Sequence, residues 1–495
     1  MRKAIPPLLA FMLVSGCTAG PNYSGPPEIV SANASERFVR AGSEVSAEPP
    51  ALAEWWVLLN DPNLTRLIEA ALMDNPSLQA AQARIAQARA SIRQERAGRL
   101  PALGTQATTV QGRLPGLEIR NGAPPSSRLP DPQAESDDTI SLYNVGLNAN
   151  WEVEFAGGSR RRIEAANAQA AAAVANAEDA KVQLTAEVAS NYVNLREAQF
   201  RAAQYRTQIE LQKDILALTY QRYQQGALPL FPVGNENAEL EVLKSQLAEA
   251  EADSAVQIDA LAILTGRVPG STSEELGAAG DVPLPPELVT VGDPAGLIAR
   301  RPDIRAAERN LAAATARIGV AEAARFPKLS FMGILGLGGS SPDDILDLGN
   351  LSALTIPRLE WNFLDFGRVD ASVDQAGAVR DEAVASYRKT VLAALQDAER
   401  ALARFGQQRV ALASRAQIKL QADSAVDLNR QRLAAGAISR ADLDRSLRDQ
   451  QQASADLVRA KATLTLAWIA LQKSLGLGWQ EARGGDSDSR GTPVP

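Results

Sequence analysis

Between Tyr143 and Phe155 the chain alternates. Tyr143, Val145, Leu147, Ala149, Trp151, Val153 and Phe155 are interleaved with Asn144, Gly146, Asn148, Asn150, Glu152 and Glu154. A period of two predicts a strand over 139–155 with one apolar and one wet face. The same beat returns at Leu359, Trp361 and Phe363 against Arg358, Glu360 and Asn362. A partner strand is expected before each, near 101–113 and at 327–339, which makes four strands in all.

A different period follows each strand pair. Val188, Leu195, Ala202, Ile209, Leu216 and Tyr223 recur every seventh residue, and no proline interrupts 160–224. Val384, Val391, Ala398, Phe405, Leu412, Val426 and Leu433 keep the same spacing later, with Lys419 as the exception. A seven-residue apolar repeat predicts coiled-coil packing. A helix over 160–224 would run for roughly 100 Å at its ordinary rise. Shorter helices are expected at about 62–74, 77–98 and 235–265, the first two with prolines Pro62 and Pro76 where a first turn tolerates them.

These elements occur twice. Pro76 and Pro302 share an offset of 226 with the pair Pro101 and Pro327. Trp151 and Trp361, Gly226 and Gly436, and Gly266 and Gly476 share an offset of 210. The register therefore changes once, from the first offset to the second, between Pro101 and Trp151. Residues 111–138 are rich in Gly, Pro, Ser, Asp and Arg, so the first copy carries a longer loop there. A tandem duplication requires the same elements in the same order in each half.

Composition narrows the chemistry. The chain has 495 residues, no histidine, a single cysteine and a net charge of −7. No Ser-His-Asp or Cys-His pair can be assembled, and no His/Cys metal site, so the reading is a non-enzyme without cofactor or metal. The acidic balance argues against nucleic acid as a partner.

The N-terminus has a processing pattern. Arg2 and Lys3 precede an apolar run, Ala4 to Val14, too short to span a bilayer. Leu13-Val14-Ser15-Gly16-Cys17 follows and resembles a bacterial lipobox, which makes Cys17 the expected site of acyl-lipid (palmitate) attachment. Thr18 comes next, and the absence of Asp there points to the outer membrane by resemblance to lipoprotein sorting rules. No later segment reaches 18 consecutive apolar residues, the length expected of a membrane-spanning helix.

Strands with Trp and Phe on one face and Asn and Glu on the other suit a membrane barrel with a wet lumen. Open sheet edges are not tolerated in lipid, and four strands are too few to close a barrel. The chain must therefore pool strands with copies of itself.

Several segments together resemble the TolC-like outer membrane factors, in their lipoprotein branch serving RND multidrug pumps (the NodT type). They are Cys17 with Gly20-Pro21-Asn22-Tyr23, Arg301-Pro302-Asp303-Ile304-Arg305-Ala306-Ala307-Glu308, Ala321 to Leu329, Phe366-Gly367-Arg368, Tyr387 to Val391, and Arg432 to Gly436. The resemblance covers nearly all of 17–478. It implies an α+β membrane protein: a homotrimer with a twelve-stranded β-barrel, four strands per chain, continued by a long periplasmic α-helical coiled-coil barrel. It also implies an equatorial belt from 24–60, 267–292 and the C-terminal segment. The expected segmentation is a signal peptide at 1–16, a lipidated N-terminal and equatorial part at 17–60, a first repeat at 61–266, an equatorial linker at 267–292, a second repeat at 293–478 and a disordered tail at 479–495. The implied partners are a periplasmic adaptor, an inner-membrane RND transporter and outer-membrane lipid. The implied function is a passive exit duct for drugs or other small molecules, in the outer membrane, anchored through Cys17 and extending into the periplasm. Ducts for metal-ion efflux or type I protein secretion are the alternatives within that class. A membrane-anchored coiled-coil structural protein is the alternative outside it.

The resemblance also implies sites. Arg222, Gly226, Arg432 and Gly436 belong to the adaptor-facing tips of the two helical hairpins. Asp442 matches an acidic ring at the closed periplasmic mouth, with Asp444, Arg445 and Arg448 beside it as a candidate gate closed by ion pairs. The plainer alternatives are glycines ending helices in a left-handed conformation and an ordinary solvated helix face. The chain departs from the family in three places. The first strand turn, Phe155-Ala156-Gly157-Gly158-Ser159-Arg160, lacks the tighter Phe-Gly-Arg form kept at 366–368. The first tip reads Gly226-Ala227-Leu228-Pro229 where an acid follows the glycine in the family, and Arg445 aligns with the second acid of the ring.

Overall fold

The computed structural model describes residues 18–29, 37–42, 45–50, 53–113 and 139–479. In chain order they form β1 (Val45–Ser46), α1 (Pro62–Asp74), α2 (Pro76–Ala97), β2 (Ala102–Arg113), β3 (Thr139–Glu154), α3 (Gly158–Gln224), α4 (Phe231–Leu264), α5 (Ser273–Leu276), β4 (Val289–Thr290), α6 (Pro294–Arg300), α7 (Pro302–Ala323), β5 (Lys328–Gly339), β6 (Leu351–Glu360), α8 (Arg368–Ala434) and α9 (Arg440–Ser474). The class is α+β. The duplication is explicit in element lengths: α2 and α7 have 22 residues each, β2 and β5 have 12, and α3 and α8 have 67. Cys17 and most of the expected long loop, 114–138, lie outside the described residues.

The chain divides into two compact units. One comprises 1–25, 88–170 and 311–383. Its centre is an antiparallel sheet in the order β2-β3-β5-β6. Register places Val145 beside Leu337, Leu147 beside Leu335 and Trp151 beside Phe331. The last two rings stack with centroids 5.6 Å apart. With Leu329, Leu351 and Leu359 these residues make a largely apolar face. The opposite face carries Asn144, Asn148, Asn150, Glu152 and Glu154 from β3, beside Lys328 of β5 and, beyond it, Arg358 of β6. It is less uniformly wet than the β3 pattern suggests, because pairing also puts Met332, Ile334, Leu354 and Ile356 there.

β6 corrects one expectation. It ends at Glu360, so Trp361 and Phe363 lie beyond the strand instead of within it. The Trp361 indole donates to the carbonyl of Arg325 at 3.0 Å, which holds the ring as the chain leaves the sheet. The turn that follows uses left-handed backbone at Phe366 and Gly367.

The same unit holds the N-terminal segment. Arg161 is almost fully buried. Its guanidinium donates to the carbonyls of Ala19 (3.0 Å) and Gly20 (3.0 Å), to Asn22 Oδ1 (2.8 Å) and to Glu164 (2.8 Å). Backbone contact is equally tight: a Cβ on Gly20 would lie 2.4 Å from the Cα of Gly319.

The other unit comprises 26–87, 171–310 and 384–495. The heptad positions Val188, Leu195, Ala202 and Ile209 of α3 are buried, as are Val391, Ala398, Phe405 and Val426 of α8. Lys419 breaks the pattern and is charge-paired: it donates to Asp423 at 2.6 Å, and Asp423 also accepts from Gln450 of α9 at 2.7 Å. Trp55, Trp56 and Trp468 meet edge to face. β1 pairs in parallel with β4, which joins 45–46 to 289–290. Arg196 and Gln199 on α3 reach the carbonyls of Ala278 and Leu276 at 2.7 and 2.6 Å. Tyr192 donates to Asp61 at 2.6 Å, and burial pushes its phenol up to about 12, so it stays protonated as a donor.

Candidate functional site: the hairpin tips and the start of the last helix

Both long helices end in the same way. Gly226 has φ +73° and Gly436 φ +67°, in open space. The N–H of Ala227 donates to the Arg222 carbonyl at 2.9 Å, and that of Ala437 to the Arg432 carbonyl at 2.8 Å. These are glycine-terminated helix ends in which the next N–H satisfies an orphan carbonyl. So Arg222, Gly226, Arg432 and Gly436 sit at corresponding turns of two hairpins, α3–α4 and α8–α9.

The helices that leave the turns differ. α9 begins with a capping box: Ser439 Oγ accepts from Asp442 N, and Asp442 Oδ2 accepts from Ser439 N at 3.1 Å. The matching positions in the first repeat are Pro229 and Pro232, and α4 starts after Leu230 without a side-chain cap. Proline near the first turn removes a donor that would have lacked a partner anyway.

Among the four candidate gate residues the ion pairs are narrower than helix spacing suggests. Arg445 reaches Asp442 at 3.4 Å. Asp444 is held by Arg440, one turn before it, at 2.9 Å instead of by Arg448. Arg448 and Asp444 line a cleft of about 570 Å³ bordered by α3, α4 and α9, together with Arg201, Tyr205 and Gln212. The Ser439 hydroxyl, more than Arg445, holds the Asp442 carboxyl below the ordinary aspartate range. Asp442 is therefore a helix-capping residue with one weak ion pair. Two participants were missed from sequence, Ser439 and Arg440. The Ser-x-x-Asp spacing at 439–442 announced the first, and the four-residue spacing to Asp444 the second. Among the described residues no group of acids, cysteines or histidines could hold a metal ion, and no helix is long and apolar enough to cross a membrane.

Similarity to known proteins agrees with this architecture. Residues 67–267 and 294–477 match the family model described as outer membrane efflux protein, one segment per repeat. Nodulation protein T of Rhizobium leguminosarum bv. trifolii is 29% identical over 94% of this chain and 96% of its own. The pyoverdine export outer membrane protein OpmQ of Pseudomonas aeruginosa is 30% identical over 96% and 97%. Among solved structures, the outer-membrane channel OprN superposes with a TM-score of 0.77 at 30% identity, over 94% of this chain and all of that one. The open state of the Neisseria gonorrhoeae MtrE channel gives 0.76 at 27%, over 93% and 98%. With both repeats matched over most of its length, the chain belongs to the outer membrane efflux protein family.

Proposed function

We propose that the protein is the outer-membrane exit duct of a tripartite efflux system. A homotrimer would receive small molecules from an inner-membrane RND transporter through a periplasmic adaptor, and pass them outward without chemistry. One observation carries the reading. The four-stranded sheet has a largely apolar face fit for lipid, yet β2 and β6 leave two unpaired edges. Unpaired strand edges are excluded from hydrocarbon, so copies of the chain must join edge to edge. Family membership and the export and efflux roles named for its relatives support the same reading.

Cys17 would carry the lipid, the tips around Gly226 and Gly436 would face the adaptor, and the start of α9 would form the periplasmic mouth. The test is twofold. The purified protein should run as a heat-sensitive trimer in mild detergent and open conducting pores in planar bilayers. Cells lacking it should accumulate efflux dyes and toxic compounds. A monomer without conductance, with unaltered compound retention in the deletion strain, would overturn the reading. Loss of tolerance to metal ions alone would redirect the cargo.

A further inference from the structure

The exposed surface where α2 meets β2 has a pattern that the duct function does not require. Arg93 and Arg96 lie on one side of α2, three residues apart, and Arg99 follows in the turn to β2. All three are exposed, and none has an ion-pair partner among the described residues. The nearby acids are occupied: Glu95 by Arg162 at 3.5 Å and Glu152 by Lys328 at 3.1 Å.

The second repeat is an internal control. At a shift of 226, Arg93, Arg96 and Arg99 correspond to Gly319, Glu322 and Arg325. Arg325 is paired with Asp370 at 2.5 Å. The second repeat thus has no arginine matching Arg93 or Arg96 and pairs the one matching Arg99; its exposed Arg317 stands at the place of Ser91 instead.

The level itself is defined by aromatic and aliphatic side chains. The Trp151 indole donates to the carbonyl of Arg99 at 2.9 Å, which ties the arginine turn to the edge of the apolar face. Leu100, Leu103, Phe155, Phe326, Trp361 and Phe363 are exposed in the same unit. Exposed aromatics at the rim of an apolar band mark a membrane–water interface. Arg93 to Arg99 spans about 9 Å at helical rise, comparable to the headgroup layer on one side of a bilayer, roughly 5–8 Å.

We propose that Arg93, Arg96 and Arg99 form a binding surface for the phosphate headgroups of anionic phospholipids in the periplasmic leaflet. The occupant is argued from charge complementarity and from continuity with the lipid-facing strands. The inference rests on the outer-membrane reading of the sheet. Guanidinium forks suit phosphate oxygens, and each basic side chain at an anionic surface is worth roughly fivefold in affinity.

Tryptophan fluorescence tests this. Trp55, Trp56, Trp468 and Trp479 are buried, whereas Trp151 and Trp361 are exposed, so lipid-borne quenchers report on the sheet rim. The full-length protein is reconstituted in phosphatidylcholine vesicles with a minor fraction of brominated phosphatidylglycerol, or of brominated phosphatidylcholine as reference. The expected result is preferential quenching by the anionic lipid, about fivefold or more, lost at high salt and in the triple variant Arg93→Gln, Arg96→Gln, Arg99→Gln. The triple variant should still be quenched by the neutral brominated lipid, which shows that it is folded and inserted. Equal quenching by both lipids in the parent protein, or an undiminished anionic preference in the variant, overturns the proposal. If neither lipid quenches the parent, the sheet is outside the bilayer; then the outer-membrane reading fails, and this proposal with it.

Discussion

The Trp361 indole donates to the Arg325 carbonyl at 3.0 Å, and in the first repeat the Trp151 indole makes the same bond to Arg99 at 2.9 Å. The carbonyl partners are related by one sequence offset and the indoles by a smaller one, so two registers converge on one contact. The extra residues in the first copy are absorbed between the bonded partners, most of them between the end of β2 and the start of β3 and the rest within β3, without disturbing where strand and helix meet. Replacing either indole with Phe keeps an aromatic ring and deletes the donor. Each of Trp151→Phe and Trp361→Phe should cost about 0.5–1.5 kcal/mol and lower the temperature at which the trimer dissociates in detergent. Because the two contacts lie in different repeats, the losses should add in the double variant. Strong non-additivity would show that the contacts are not independent.

The Arg161 clasp should fix the N-terminal segment. One guanidinium serves two carbonyls, Asn22 and Glu164. Lysine has no planar fork with which to satisfy that set. Arg161→Ala and Arg161→Lys should both expose the bond after Tyr23 to chymotrypsin, while the parent protein resists. The alanine change should destabilise the unit by about 2–4 kcal/mol, the range for breaking a buried charged network. Resistance to the protease in Arg161→Ala would show that other contacts hold the segment.

Asp179 on α3 is expected to be a stability liability. Its carboxyl is pushed above the ordinary aspartate range, first by burial and then by the charge of Asp303. A raised folded-state value means that the charged form is disfavoured in the fold. The penalty is full above the raised value, shrinks as pH falls through it, and vanishes below the unfolded value near 4. Asp179→Asn should therefore melt at a higher temperature than the parent at pH 7, and the two should converge toward pH 4. A variant less stable at pH 7 would mean that the bonds of the carboxylate outweigh its desolvation.

The features legible in sequence were those with a local period. The alternation around Trp151, the heptads of α3 and α8, and the duplicated prolines each repeat within a few residues or at a fixed offset. What stayed hidden depends on a partner far along the chain. Nothing near Arg161 announces that it reaches residues 19–22, and nothing near Trp361 shows that β6 stops at Glu360 while β3 runs on past Trp151. At the hairpin ends the residues were found but the competition among them was not. Asp442 has Ser439, Arg445 and the helix terminus within reach, and spacing alone does not rank them.

That ranking decides the gate prediction. Asp442 lies at the start of α9, where an acid is favoured by the helix dipole and by the capping box whatever the pore does. Asp444, with its side chain 18% exposed and paired to Arg440, is the more enclosed acid. If threefold symmetry brings these carboxylates around a pore axis, their field should attract cations and resist anions. Asp442→Ala with Asp444→Ala should then raise single-channel conductance and reduce cation selectivity in planar bilayers. Loss of the cap alone could loosen the mouth, by about 0.5–2 kcal/mol of helix stability. Ser439→Ala separates the two causes, because it removes the hydroxyl partner and leaves both charges in place. An electrostatic gate predicts that Ser439→Ala keeps the selectivity of the parent while the double aspartate variant loses it. Equal effects of the two would assign Asp442 to helix capping, and unchanged conductance and selectivity in the double variant would remove both acids from the gate.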